Sequence, residues 1–115
     1  MDHFTHTTVD ELARSDQGSV FHGHEHGATV SFFLSRTAPG RGPGLHTHPY
    51  EETFIVQEGN VRFRVGEQTV EATAGDLLVV PAGVPHGFVN SGSTPIRQMS
   101  IHPVARMETE WLEDQ

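Results

Sequence analysis

Two histidines separated by a single residue, with an acidic pair shortly after them, are the side chains of this sequence best suited to bind a metal ion. His46 and His48 precede Glu51 and Glu52 by a few positions. On a strand, residues i and i+2 project from the same face, so both imidazoles can enter one cavity. Glu52 has the same parity and would add a hard oxygen donor, unless a turn at Pro49-Tyr50 breaks that parity.

A third histidine, His86, follows the loop Pro81-Ala82-Gly83-Val84-Pro85 and shares strand parity with Phe88. If its strand lies beside the one that carries His46 and His48, three imidazoles and one carboxylate face the same interior. That donor set suits Fe, Mn, Co, Ni, Cu or Zn better than Mg or Ca. The spacing alone leaves the adjacency of the two strands open.

Other polar side chains near these residues are weaker candidates. Glu51 is the alternative to Glu52, which the spacing favours. The candidate catalytic residues are Tyr50, Glu51 and His102. Tyr50 could hydrogen-bond a substrate, and His102 could carry a proton or hold a ligand in place. For His102, however, we expect a partly exposed histidine near the end of the final strand.

His22, His24 and His26 alternate with Gly23 and Glu25, so they could bind a second ion if they shared one strand face. The sequence pattern associates no carboxylate or distant histidine with these three residues as a further ligand. We therefore expect an ordinary surface strand or turn here. A chain of 115 residues is also expected to form one domain with one site.

The elements that must position these side chains are predominantly short strands. Val61, Phe63 and Val65 alternate with Arg62 and Arg64, which is the period of a half-buried strand. Further apolar runs lie at Val30 to Leu34, Thr53 to Val56, Leu77 to Val80 and Ile96 to Ile101. Turn residues separate these runs, which predicts a sandwich or a barrel, and closure into a barrel would remove exposed sheet edges. Short helical turns are predicted at Val9 to Arg14 and Met107 to Asp114.

Composition excludes several classes of function. The formal net charge of −8 would repel phosphate backbones and anionic lipid, so neither nucleic acid nor a membrane is expected as a partner. Without Cys there is no disulfide or thiolate nucleophile, and without Lys no side-chain Schiff base can form. The sequence contains no long apolar stretch and no signal-peptide pattern, so a soluble cytoplasmic protein is predicted.

The central stretches resemble both sequence motifs of the cupin superfamily. The first motif is a glycine, H-x-H, a glutamate and a second glycine, matched at Gly40, His46, His48, Glu52 and Gly59. The second is a glycine, P-x-G, a histidine and an asparagine, matched at Gly75, Pro81, Gly83, His86 and Asn90. Every position of both motifs agrees in type and spacing.

This resemblance implies an all-β fold, a cupin jelly-roll (double-stranded β-helix) barrel with short peripheral helical turns at the termini. It implies one divalent transition metal bound by His46, His48, Glu52 and His86. The expected organisation is an N-terminal arm at residues 1–20, the barrel at 21–104 and a C-terminal tail with a short helix at 105–115. A homodimer formed by edge strands or swapped N-terminal segments is also expected.

Three functions are consistent with a cupin metal site. The first is an enzyme, dioxygenase-like, that acts on a small oxygen-containing organic substrate, because a redox-active ion with open positions can hold both reactants together. The second is a redox-neutral isomerase, cyclase or lyase in which the metal stabilises an enolate. The third is a module that binds a small metabolite without transforming it.

Overall fold

The computed structural model describes residues 4–15 and 17–113, which form two antiparallel sheets around one core. Its strands are β1 (Ala13–Ser15), β2 (Gly18–Phe21), β3 (Ser31–Thr37), β4 (His46–Thr47), β5 (Glu52–Glu58), β6 (Asn60–Val65), β7 (Gln68–Thr73), β8 (Leu77–Val80), β9 (His86–Asn90), β10 (Ile96–His102) and β11 (Glu110–Trp111). The larger sheet has the order β1-β2-β3-β10-β5-β8, and the smaller has the order β11-β4-β9-β6-β7. The predicted all-β jelly roll is confirmed.

Alternation of apolar and polar residues explains which side chains fill the core. In β6, Val61 and Phe63 are fully buried, whereas Arg62 and Arg64 face solvent, as the period of two requires. Their neighbours complete an apolar cluster, which consists of Phe54, Val56, Ala72, Val80 and Ile96. Phe54 also packs edge-on against Phe63, with ring centroids 5.0 Å apart. Apolar packing thus fills one part of the barrel and leaves another part to polar side chains.

Within residues 4–15 and 17–113, the helical content is limited to two 3₁₀ turns, Asp10–Leu12 and Gly23–Glu25. The first lies within the helical turn predicted at Val9 to Arg14. The second occupies the segment of alternating histidines, which therefore does not form a strand. None of the helices in the described part of the chain is long and apolar enough to span a membrane.

The C-terminal segment differs from its prediction. Instead of a helical turn at Met107 to Asp114, it forms the two-residue strand β11, in which Glu110 pairs with Thr47 and Trp111 pairs with His46. The physical reason is the free edge of β4, whose backbone groups need partners that a short isolated helix would not supply. Asp114 and Gln115 lie outside the described residues.

The last third of the predicted N-terminal arm contributes two strands to the larger sheet. The strand β2 pairs with β3 from Gly18↔Ser35 to Phe21↔Phe32, and β1 extends the same sheet at its edge. Val20 is buried, so this segment contributes to the packed structure. The first three residues and Asp16 are outside the described residues.

Candidate metal centre

Three neighbouring strand ends bring four histidine and glutamate side chains together. His46 lies in β4 and pairs directly with His86 at the start of β9, while Glu52 begins β5. Their ligand atoms, with that of His48, all lie within 4.8 Å of one another. All four residues are buried, between 2% and 6% exposed. We call His46, His48, Glu52 and His86 the four-residue cluster.

The backbone that precedes β4 explains why His46 meets His86. This segment runs alongside β9, with hydrogen bonds from Phe88 N to Pro43 O and from Asn90 N to Arg41 O. Gly42 allows the close approach, because a Cβ atom at this position would lie only 2.0 Å from the Phe88 carbonyl oxygen. The glycine-rich stretch before the two histidines therefore sets the distance between the strands.

Hydrogen bonds at Nδ1 fix the tautomer of each histidine in the four-residue cluster. The acceptors are Gly44 O for His46 at 2.8 Å, Glu108 O for His48 at 2.7 Å and Val84 O for His86 at 2.9 Å. A carbonyl oxygen can only accept, so each Nδ1 carries the proton. In a neutral imidazole the other nitrogen, Nε2, is then a bare lone pair that can coordinate a metal.

The centre of the cluster requires a positive charge. Glu52 Oε1 lies 2.8 Å from His86 Nε2 and 3.0 Å from His48 Nε2, and the second contact lacks hydrogen-bond geometry. Lone pairs that face a carboxylate repel it unless protons or a cation lie between them. Three imidazole nitrogens and one carboxylate are the donors that first-row divalent metals prefer, so this cluster could hold such an ion.

The charge states of the metal-free cluster follow from the same contacts. Burial acts to raise the pKa of Glu52, but the three imidazoles around its carboxylate, those of His102, His48 and His86, outweigh burial and hold this pKa far below its usual range. Burial lowers the pKa of His46. For His48, burial acts in the same direction, yet Glu52 and the Glu108 carbonyl raise its pKa overall. Glu52 is therefore an anion at any physiological pH.

His102 belongs to the site, which corrects the expectation of a partly exposed side chain. It is 2% exposed, because Ile96, Gln98, Ser100 and His102 form the inward-facing column of β10. Its Nε2 lies 3.1 Å from Glu52 Oε2, the carboxylate oxygen that the other two histidines do not contact. Two histidines thus face one oxygen of Glu52, and His102 faces the other.

Tyr50 sets the orientation of His102 from the far side. The Tyr50 hydroxyl lies 2.7 Å from His102 Nδ1 and accepts a hydrogen bond from Glu108 N at 3.1 Å. Its own proton has two acceptors within reach, His102 Nδ1 at 2.7 Å and Glu108 O at 3.3 Å. When the hydroxyl donates to Nδ1, the His102 proton lies on Nε2, facing Glu52. In contrast to the cluster histidines, His102 then offers a donor to the site and no lone pair. Burial raises the pKa of Tyr50, which keeps this hydroxyl protonated.

A cavity of about 610 Å³ opens onto the cluster. Aromatic side chains form part of its wall, namely Phe33, Phe54, Phe88 and Trp111. Hydroxyl groups are interspersed among them, namely Ser19, Ser35, Thr37 and Ser100. This volume lies within the range of small-molecule sites and greatly exceeds the space that a metal ion alone would need.

One wall of the site comes from residues 107–113, which we call the C-terminal strap. The Trp111 ring packs on the His46 ring, with centroids 4.6 Å apart. Glu108 O accepts from His48, and Glu113 forms two contacts with Arg64, at 3.0 and 3.1 Å. These contacts hold the strap against the site, where Met107, Thr109 and Trp111 line the cavity. Sequence reasoning missed this role of Trp111 and Glu108.

The remaining sequence candidates lie away from the cluster. Glu51 is exposed and is not among the residues that line the cavity. His24 Nδ1 lies 3.2 Å from Ala105 O, and His26 stacks on Phe21. Among the described residues, His22, His24 and His26 form no cluster with three ligand atoms.

The family model for the cupin domain matches residues 33–102. The chain belongs to the cupin family. This match covers the strands that carry the four-residue cluster and extends to His102, whereas the C-terminal strap lies beyond it.

Similar proteins agree with this membership. A Streptomyces cyaneus protein named polyketide synthase CurC is 33% identical over 82 residues, which are 69% of this chain and 53% of that protein. The cupin chain thus spans about half the length of this curated relative. A Klebsiella pneumoniae protein with a double-stranded β-helix domain superposes with a TM-score of 0.73 at 24% identity, covering 94% of this chain and 96% of that one.

A structure of Bacillus subtilis oxalate decarboxylase, described for its Mn(II) centres, superposes with a TM-score of 0.75 at 24% identity. The match covers 82% of this chain and 27% of the decarboxylase. At this identity both structural similarities show the fold alone.

Proposed function

We propose that this cupin is a metal-dependent enzyme that acts on a small oxygen-containing organic molecule, with dioxygenase-like chemistry as the leading reaction. The observation that carries the proposal is the set of three imidazoles whose tautomers are fixed with Nε2 toward Glu52. His46, His48, Glu52 and His86 are the proposed ligands of one divalent transition metal. Such an ion would supply a Lewis acid and, if redox-active, a centre that can react with dioxygen.

The chain's own residues would bind and orient the substrate. Aromatic walls exclude water and bind a flat apolar skeleton, while the hydroxyls around them can orient its oxygens. The Tyr50–His102 pair would hold Glu52 in place during the reaction. The cavity volume of about 610 Å³ favours a molecule considerably larger than oxalate.

Enolisable diketones are the first substrates to test, because a polyketide chain consists of such units and a similar Streptomyces protein is named a polyketide synthase. Protein prepared anaerobically with Fe(II) would be assayed for oxygen uptake with diketones, flavonols and oxalate. We expect uptake that is lost in His86→Ala and retained in His24→Ala, an exposed histidine outside the site. No uptake with any substrate of this panel would contradict the dioxygenase proposal.

A redox-neutral isomerase, cyclase or lyase is the second candidate, and one observation favours it. His102 lines the cavity and contacts the Tyr50 hydroxyl, so the wall contains a group that can move a proton without dioxygen. Activity of the zinc-loaded protein under argon would support this reaction over the first. A tightly held molecule recovered unchanged from purified protein would instead identify a binding module.

The homodimer predicted from the sequence is also proposed, with the outer face of the larger sheet as its interface. Leu77 and Val79 are 66% and 63% exposed, beside the outward-facing Ile55. Exposed apolar side chains on adjacent strands are typical of protein interfaces. Leu77→Glu is expected to shift the mass measured by light scattering from dimer to monomer, and an unchanged mass would contradict this interface.

The cytoplasmic location stays a prediction.

A further inference from the structure

The charges that border the cavity differ in sign from those of the protein as a whole. The chain has a formal net charge of −8, yet Glu52 is the only carboxylate among the described residues that line the cavity. Two arginines, Arg14 and Arg41, also line the cavity. With a divalent ion on the four-residue cluster, the fixed charges of the cavity sum to a positive value.

Ion pairing in the described part of the chain distinguishes these two arginines from three others. Arg62, Arg64 and Arg97 form ion pairs with Glu71, Glu113 and Glu58. Within the described ranges, neither Arg14 nor Arg41 forms an ion pair. Both guanidinium groups can therefore bind a ligand without first breaking an ion pair to another described residue.

The backbone fixes where these two side chains enter the wall. Arg41 lies in the segment that runs along β9, held by the hydrogen bond from Asn90 N to Arg41 O. Arg14 lies in β1, which pairs with β2 at the edge of the larger sheet. The two arginines thus come from different segments of the chain and line one cavity.

We propose that Arg14 and Arg41 form an anion-binding subsite that selects substrates with a carboxylate or another acidic oxygen. The inference rests on the proposed function in one respect, namely that the anion is the substrate of the metal site. An acidic group placed between the arginines would leave the rest of the molecule against the aromatic wall. A positive cavity on an acidic protein also concentrates anions at the opening, because local charges dominate the potential inside a cleft.

Binding of two matched probes to the zinc-loaded protein tests the subsite without any turnover. The probes are 2-hydroxybenzoate and its neutral amide, 2-hydroxybenzamide, which share a ring and a hydroxyl, and calorimetry measures both affinities. We expect the carboxylate to bind more tightly than the amide, and this preference to fall roughly three- to tenfold for each of Arg14→Gln and Arg41→Gln. The preference should also weaken as salt is added.

Arg36→Gln is the matched control. Arg36 is exposed, does not line the cavity and has no ion pair in the described part of the chain, so its loss changes the net charge equally. An unchanged preference in this variant, with a reduced one in the other two, would support a local subsite. The same reduction in all three would show a general charge effect and overturn the proposal.

Further results would also overturn the subsite. Equal affinities for the two probes would do so, as would no binding of either probe at millimolar concentration. An intact preference in the Arg14→Gln/Arg41→Gln double variant would show that the metal alone holds the carboxylate. Failure of the proposed function is distinguishable, because a protein without oxygen uptake or isomerisation could still show the arginine-dependent preference.

Discussion

The histidines of the four-residue cluster are held in two different ways. His46 and His86 each donate Nδ1–H to the carbonyl two residues earlier, Gly44 O and Val84 O, so their orientation is set within their own loops. His48 donates to Glu108 O, sixty residues away in the C-terminal strap. Two ligands are thus oriented locally, and the third is oriented by tertiary structure. Metal affinity should therefore be sensitive to contacts outside the motifs.

Loss of a locally held histidine should have the largest effect. His86→Ala removes a donor and leaves Glu52 Oε1 without its 2.8 Å contact. We expect metal affinity to fall by more than the roughly 10- to 100-fold that changes around a ligand usually cause. Metal content after dialysis against a competing chelator measures this. The control His24→Ala should bind metal like the wild type, and metal binding by His86→Ala at normal affinity would refute the cluster.

Loss of the remote support should have a smaller effect. A chain that ends at Arg106 lacks Glu108 and the Trp111 ring, but it retains all four predicted ligands and His102. We expect about 10- to 100-fold weaker metal binding, because His48 loses the acceptor that fixes its tautomer. The chelator assay applies here too, with circular dichroism to establish that the barrel is folded. Unchanged affinity in a folded truncated protein would show that tertiary support of His48 is unimportant.

The contact between His102 and Glu52 can be tested separately. His102→Ala leaves Glu52 Oε2 without its 3.1 Å neighbour, so we expect metal affinity to fall about tenfold. His102→Gln keeps a side-chain donor and should restore part of the affinity. The absorption spectrum of the cobalt(II) protein, which responds to coordination, should change in His102→Ala more than in His102→Gln. Identical spectra in both variants and the wild type would rule out a positioning role.

The smallest effect expected is a difference in titration between His48 and His46. In metal-free protein the pKa of His48 is raised and that of His46 is lowered, so His48 takes up a proton at higher pH. Metal affinity should therefore decrease as the pH falls through the pKa of His48, because protons compete for Nε2. Histidine resonances followed by NMR measure both values. Truncation at Arg106 should lower the pKa of His48, because it removes the Glu108 carbonyl. A higher pKa for His46 than for His48 in the full chain would contradict this account.

The sequence was informative wherever structure is determined locally. The spacing of His46, His48 and Glu52 predicted their shared direction, and the alternation in β6 predicted its buried face. The position of His102 was predictable in principle, since it continues the parity of Ile96 in β10. Its contact with Glu52 was not, because pairing between β10 and β5 is a property of the topology.

The strap was harder to predict for a different reason. A strand of two residues has too few positions for any period to be recognised, and the apolar pair Trp111-Leu112 fits a helix as well as a strand. What decides the conformation is the unpaired edge of β4, which becomes apparent only once the barrel is assembled. Short edge strands that depend on a tertiary partner are therefore the elements that a single sequence predicts least well.

Trp111 is the only tryptophan of the chain, and its ring packs on the His46 imidazole. Its fluorescence therefore comes from a single indole beside the candidate centre. Copper(II) or cobalt(II) bound there would quench that emission at short range, whereas zinc would change it mainly through the charge of the ion. The unlabelled protein thus contains its own optical sensor, with which occupancy of the site by different metals can be followed directly.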